Sequence, residues 1–283
     1  METLPWINGS LTSADGLDLF YRYLVSPDER ARLVIAHGLG EHSGRYGHVY
    51  EWLRPKGYSF WALDHRGHGR SQGRKGHVLD FKEYLTDLGL LIQRVRENLP
   101  AGRKVFLLGH SLGGLIALRF ALEYPELING VIASSPALGV AMAVPAVKSA
   151  LGRLMSSIWP TLGLASGLDP NLISRDPETV AAYRNDSLVH DRVTARWFTE
   201  FTSSQQKTQE QAASMKTPTL LQVAGADGLV SPLAAKEFFD RLGLADKTLH
   251  VYEGLYHEIY NERPEDRARV LRDLEAWLGA RLV

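Results

Sequence analysis

The chain contains no cysteine, which excludes a disulfide framework, a thiolate nucleophile and a thiolate metal site while leaving the redox compartment undetermined. Nor does it carry a surplus of either charge: 32 basic residues balance 32 acidic ones over 283 positions. That balance offers no footprint for a nucleic-acid partner and no strong attraction to anionic membranes, so the expected partner is small and largely uncharged. No window reaches the run of about 18 apolar residues that a membrane span needs. Residues 1–10 lack the basic stretch and apolar run of a signal peptide. A cytoplasmic protein is expected. What is present is 45% hydrophobic content, enough for a sizeable core, in a length that suits one α/β domain with an insertion.

The most informative stretch is Lys104 to Tyr124, KVFLLGHSLGGLIALRFALEY. A short apolar run is followed by Gly109-His110-Ser111-Leu112-Gly113, and then by apolar residues at helical spacing. A G-x-S-x-G sequence between a strand and a helix forms a nucleophile elbow, in which flanking glycines permit a strained turn and close packing. Ser111 is the candidate nucleophile. The Leu112 N–H opens the following helix and faces any oxyanion formed at Ser111. The alternative is a glycine-rich turn with a bystander serine, and partners elsewhere must decide between the two.

The remaining pattern supports an α/β fold. Residues 6–25, split by Ala14-Asp15-Gly16, read as a β-hairpin at an antiparallel sheet edge. Arg32 to Ala36, Tyr58 to Leu63, Gly130 to Ser135, Thr219 to Val223 and Thr248 to Tyr252 are strand-like runs. Helical patterns cover Tyr46–Arg54, Phe81–Leu99, Pro232–Leu242 and the stretch from Pro264. Continuous apolar strands alternating with helices imply a mainly parallel sheet covered on both faces. Between residues 137 and 214 the pattern breaks. There Val140, Val144, Val147, Leu151, Leu154 and Ile158 recur at helical intervals, with Pro145 in the first turn of the helix. Gln205 to Gln211 reads as a polar helix or linker. We expect a core of residues 1–136 and 215–283, and an inserted helical cap at 137–214 over the carboxyl ends of the strands, where open sheets bind ligands. Most of the apolar stripe is expected to pack against the body, with the remainder lining an acyl pocket or touching lipid.

Two other loops invite chemistry. His37-Gly38-Leu39-Gly40 follows a strand, as a second oxyanion donor should, and the Leu39 N–H is the candidate. Asp64 to Ser71 carries two histidines and two arginines, but the spacing fits no metal set and reads as a structural loop beside the elbow. Ser111, Asp227 and His257 each lie just beyond a strand, so a parallel sheet brings them to one edge. Their order suits a triad in which His257 takes the serine proton and Asp227 fixes the imidazole tautomer. Glu253 is the competing acid. No metal and no cofactor are called for.

The runs His37-Gly38-Leu39-Gly40-Glu41-His42-Ser43-Gly44-Arg45-Tyr46, Asp64–Ser71 and Gly109–Gly114 resemble the monoacylglycerol lipase and lysophospholipase-like branch of the α/β-hydrolases. The resemblance implies a sheet of about eight strands, a helical cap after the sixth, and cofactor-free hydrolysis of esters bearing one acyl chain. It assigns Glu41 and Arg45 to the polar head-group end of the pocket. Tyr183, in Tyr183-Arg184-Asn185-Asp186-Ser187-Leu188, falls near the glycerol site. Ser187 replaces a usual proline, and Tyr260 stands where mammalian members carry a second histidine. The implied substrate is a monoacylglycerol, with a lysophospholipase or broad carboxylesterase as the alternative on the same triad. More distant alternatives are an acyltransferase, a haloperoxidase or a non-catalytic binding protein. Transient membrane contact through the cap is expected, with no nucleic acid and no obligate protein partner.

Overall fold

Strands whose residues are apolar without alternation must be buried on both faces, and the sheet is built that way. A computed structural model describes residues 6–141 and 146–282. Its elements run β1 (Ile7–Thr12), β2 (Asp18–Leu24), β3 (Ala31–Ala36), α1 (Gly47–Leu53), β4 (Tyr58–Leu63), α2 (Lys82–Glu97), β5 (Lys104–His110), α3 (Leu112–Glu123) and β6 (Gly130–Ser134). There follow α4 (Ala146–Ile158), β7 (Gly163–Ala165), α5 (Pro177–Asn185), β8 (Arg192–Thr194) and α6 (Ala195–Glu210). The chain ends with β9 (Thr219–Ala224), α7 (Pro232–Arg241), β10 (Lys247–Tyr252) and α8 (Pro264–Gly279).

Eight strands form one sheet in the order β1-β2-β4-β3-β5-β6-β9-β10. The β1–β2 hairpin and the β2–β4 pair are antiparallel, and every later neighbour is parallel. Successive strand residues serve opposite faces. Val34, Leu107 and Val131 join Leu88, Leu115, Phe120 and Phe238 on one side. Leu33, Phe106 and Ile132 join Tyr50, Leu274 and Trp277 on the other. The sheet is therefore sandwiched between two helix layers, and α3 is buried almost all round.

Connection to β4 runs one way from β3, whereas β5 lies on its other side. That reversal opens a crevice at the carboxyl edge of the sheet, the place where such sheets bind ligands. His37, Ser111, Asp227 and His257 all follow strands that end at this edge. Glycine is required beside it. A Cβ on Gly113 would run into the Ala36 carbonyl oxygen, and one on Gly109 into that of Gly113, so α3 can approach β3 and β5 only as it does.

Between β6 and β9 lie the helices α4 to α6 and the two short strands, which pair with each other outside the main sheet. Three caps start these and neighbouring helices: Asp176 accepts from Glu178 N–H, Thr194 from Trp197 N–H and Ser231 from Ala234 N–H, each worth about 1 kcal/mol. One expectation changes here. Of the apolar stripe, Val140, Leu154 and Ile158 are exposed rather than packed on the body. Helix α4 instead turns Gly152 and the buried Ser156 inward, with Gly152 against Phe198 of α6. Val144 and Pro145, and the side chains of Val147 and Leu151, lie outside the described residues. Of the two readings of residues 205–211, helix or linker, the structure has the helix: residues 205–210 are the end of α6, with Gln205 and Thr208 buried. Gln205 donates to Ala137 O in the loop after β6 and Gln209 to Ala234 O in α7, both at 2.9 Å, so these amides tie α6 to its neighbours.

Candidate active site

Ser111 has φ 54° and ψ −117°, a left-handed backbone that a β-carbon resists. The neighbourhood enforces it: Ser111 N–H donates to Ser134 O at 3.0 Å, and Ser111 O accepts from Leu115 N–H at 3.1 Å and Ala137 N–H at 3.0 Å. The side chain lines a narrow pocket together with His257, Leu39, Glu41, Arg45, His110 and Tyr183. A wider groove on the outer side of α5, lined by Arg175, Arg184, Tyr256 and Arg263, contains neither Ser111 nor His257.

Asp227 is the carboxylate that meets His257, and Glu253 does not take its place. His257 Nδ1 donates to Asp227 Oδ2 at 2.7 Å, while Asp227 Oδ1 accepts from Leu229 and Val230 N–H at 2.9 and 3.0 Å. Burial opposes the charge on Asp227, but the imidazole and those two donors outweigh it and hold the carboxyl below its ordinary range. Burial likewise disfavours a charged His257, yet Asp227, Glu258 and Glu41 reverse the balance and hold the imidazole above its usual value. A proton on Nδ1 leaves Nε2 facing away from Asp227 as the basic nitrogen. The neighbouring His110 ring lies 4.7 Å from His257 and is pushed down to about 3 by burial, so it stays neutral.

Among the described residues neither the Leu39 nor the Leu112 N–H donates to a backbone carbonyl. The Gly38 N–H is already taken by Glu41 Oε1 at 2.5 Å. That leaves two amides without a backbone acceptor, that of Leu39, which lines the pocket with Ser111, and that of Leu112, next to Ser111 in the first turn of α3. Such a set can receive the charge of a tetrahedral intermediate, while the serine attacks and the imidazole carries its proton.

At the far end, Arg45 donates to Glu41 Oε2 at 3.0 Å and to Glu258 Oε1 and Oε2 at 2.6 and 2.8 Å. The Tyr46 hydroxyl donates to Glu41 Oε1 at 2.8 Å. Tyr183, on α5, lays its ring 4.7 Å from the Arg45 guanidinium. The segment carrying Tyr183 is tied to the sheet by His42 donating to Asp186 at 2.8 Å and by His190 N–H donating to Gly40 O at 2.9 Å. Asp186 also accepts from Leu188 N–H at 2.9 Å, closing the turn that contains Ser187. Tyr260 is buried and donates to Gln222.

The Asp64–Ser71 loop builds the wall behind this site. Asp64 accepts from Ser43 and Arg70 N–H at 2.8 and 2.9 Å, and Arg66 is held by Asp87 at 2.6 and 2.9 Å. His37 Nε2 accepts from the His65 backbone N–H at 2.9 Å and the two rings lie 4.3 Å apart, which packs the two loops together, although both ring nitrogens of His65 are buried without a hydrogen-bond partner. Among the described residues no group of three or more potential ligands could hold a metal ion.

A family model described as "Serine aminopeptidase, S33" matches residues 27–264. The chain belongs to that family. Its sequence is 35% identical over 275 residues to a monoacylglycerol lipase of Mycolicibacterium smegmatis, covering 96% of this chain and 97% of the relative. It is 36% identical over 239 residues to phospholipase YtpA of Bacillus subtilis, covering 82% and 89%. The crystal structure of a Paleococcus ferrophilus monoacylglycerol lipase superposes with a TM-score of 0.85 at 38% identity, covering 93% of this chain and 99% of that one. The S33 family chain accordingly has the α/β-hydrolase fold.

Sequence reasoning missed Glu258, Tyr46 and His110 at this site. Tyr46 and His110 lie inside motifs that were singled out, so proximity was available as a signal. Glu258 had only its place beside His257. A carboxylate in a stretch that otherwise buries Leu255, Ile259 and Tyr260 is the pattern that could have found it.

Proposed function

We propose that the chain is a carboxylic ester hydrolase that cleaves monoacylglycerols to fatty acid and glycerol. The observation that carries this reading is the Asp227–His257 pair sharing one pocket with a serine on a left-handed elbow. Ser111 attacks the ester carbonyl as His257 takes its proton. The Leu39 and Leu112 N–H groups hold the oxyanion, and His257 returns the proton to the departing glycerol oxygen. Water activated by the same imidazole then releases the acyl group from Ser111. Glu41, Arg45 and Tyr183 form the head-group end, where hydroxyls can pair with carboxylates and with spare guanidinium N–H bonds.

Residues 137–214 serve as the cap over this pocket in our reading. Leu154, Ile158, Trp159 and Leu164 are all exposed on it. A cluster of this kind suits transient contact with the lipid surface where the substrate resides. Among the described residues no helix is long and apolar enough to cross a membrane.

The similarity to a phospholipase keeps a lysophospholipase as the second reading. Initial rates on a medium-chain monoacylglycerol, the ethyl ester of the same acid and the matching lysophosphatidylcholine separate the cases. A kcat/KM for the glycerol ester at least about tenfold above the ethyl ester is expected if the polar end recognises glycerol. Equal rates on those two would reduce the function to a general carboxylesterase, and preference for the lysolipid would favour the second reading.

A further inference from the structure

Among the described residues Arg45 is the only lysine or arginine lining the pocket, and its charge is already balanced by carboxylates. Its side chain is 9% exposed, against 6% for Glu258 and 4% for Glu41. Glu258 holds it through two parallel bonds of 2.6 and 2.8 Å, the fork geometry in which guanidinium and carboxylate match best. Glu258 is held in turn by Asn261 Nδ2 at 2.9 Å, while its backbone N–H donates to Ile173 O at 2.7 Å. The carboxylate therefore cannot swing aside without leaving donors unpaired. Glu41 adds a third carboxyl contact, and Tyr183 covers the guanidinium face. Of the two histidines lining the pocket, His110 is kept neutral by burial, and His257 is already paired with Asp227.

A phosphate entering here would need a cation of its own, because a buried charge is tolerated only when paired. Arg45 can lend it N–H bonds but not its charge, which two carboxylates already balance; to claim that charge the phosphate must displace Glu258, which leaves a carboxylate buried without its partner beside a second one. A neutral diol meets no such penalty, since its hydroxyls donate to the carboxylates and accept from the N–H bonds of Arg45 not spent on Glu41 and Glu258.

We propose that Glu258 is a specificity-determining residue: by neutralising Arg45 it makes the head-group end select uncharged polyol esters and reject lysolipids with an anionic phosphate head. This rests on the ester-hydrolase reading above. Its role is exerted through Arg45, so a purely structural effect must be separated from it.

The test measures kcat and KM on a monoacylglycerol and on lysophosphatidic acid of the same acyl chain, each normalised to a p-nitrophenyl ester without a head group. Glu258→Gln is expected to raise the lysophosphatidic acid to monoacylglycerol ratio of kcat/KM by at least about tenfold, mainly through KM for the phosphate substrate. Glu258→Asp, which keeps the charge, should retain the wild-type discrimination. An unchanged ratio in Glu258→Gln overturns the proposal, even if all rates fall together. Should that variant not fold, competition in the wild type decides: glycerol should inhibit p-nitrophenyl ester hydrolysis while glycerol 1-phosphate does not, and equal or stronger inhibition by the phosphate contradicts the proposal. Failure of the wild type to cleave monoacylglycerol would count against the proposed function alone, because the competition experiment uses a different ester.

Discussion

Replacing Ser111 with alanine should lower ester turnover by about four to six orders of magnitude, leaving only what the oxyanion donors and binding can do without a nucleophile. The fold should survive, because alanine keeps the β-carbon and the three backbone hydrogen bonds that pin the elbow. Ser111→Gly should be equally inactive but a little more stable. The φ of 54° stores strain of about 1–3 kcal/mol for a residue with a side chain. Glycine relieves it, against about 0.5–1 kcal/mol of added unfolded-state entropy. Rates on a monoacylglycerol and melting temperatures of both variants check this. Turnover within tenfold of wild type in Ser111→Ala would remove the serine from the mechanism, whatever the stabilities.

Asp227→Asn should cost about 10⁴ in kcat, since an amide in place of the carboxylate lets the imidazole adopt the wrong tautomer. The pH dependence gives a second readout. His257 works only as the neutral base, so wild-type activity is lost as pH falls through its folded-state value, which Asp227, Glu258 and Glu41 hold above the ordinary value near 6.5. Removing the Asp227 charge takes away the largest of those opposing influences to burial. The acid limb of the residual kcat/KM profile should therefore shift to lower pH in Asp227→Asn. A limb that stays in place, or moves upward, would mean that the group titrating is not the imidazole paired with Asp227. The same profile in Glu258→Gln should move in the same direction by less, because Glu258 acts on His257 only through space.

Much of this architecture could be read from the chain because its signals are local. Strands β3, β4, β5, β6 and β9 appear as largely apolar runs, a pattern that burial on both faces imposes, whereas β10 at the sheet edge is only partly buried. Ser111 stands in a turn whose glycines answer to specific close approaches by Ala36 and Gly113 carbonyls. Asp227 and His257 each follow a strand, and a parallel sheet needs nothing more to place them at one edge.

What could not be read is non-local or facial. Glu258 and Arg45 are 213 residues apart, and nothing near either announces the other. Spacing of three and four in 140–158 marks a helix but not which side of it finds the body; in α4, Gly152 faces Phe198 of α6 and Ser156 is buried, while Leu154 and Ile158 are exposed. Polar residues 205–211 read as a polar helix or linker, and the helix is what forms as far as Glu210, but its burial was not legible. The Gln205 and Gln209 amides are the partners of carbonyls in the loop after β6 and in α7, a role visible only once those elements are in place.

The most direct test of the central claim is intact-protein and peptide mass spectrometry after treatment with a fluorophosphonate ester, alongside residual esterase activity. One phosphonyl adduct on the peptide containing Ser111, formed in step with loss of activity and absent from Ser111→Ala, is the expected result. Full activity without an adduct, or an adduct on another residue that tracks inactivation, would contradict a mechanism built on the Ser111–His257–Asp227 arrangement.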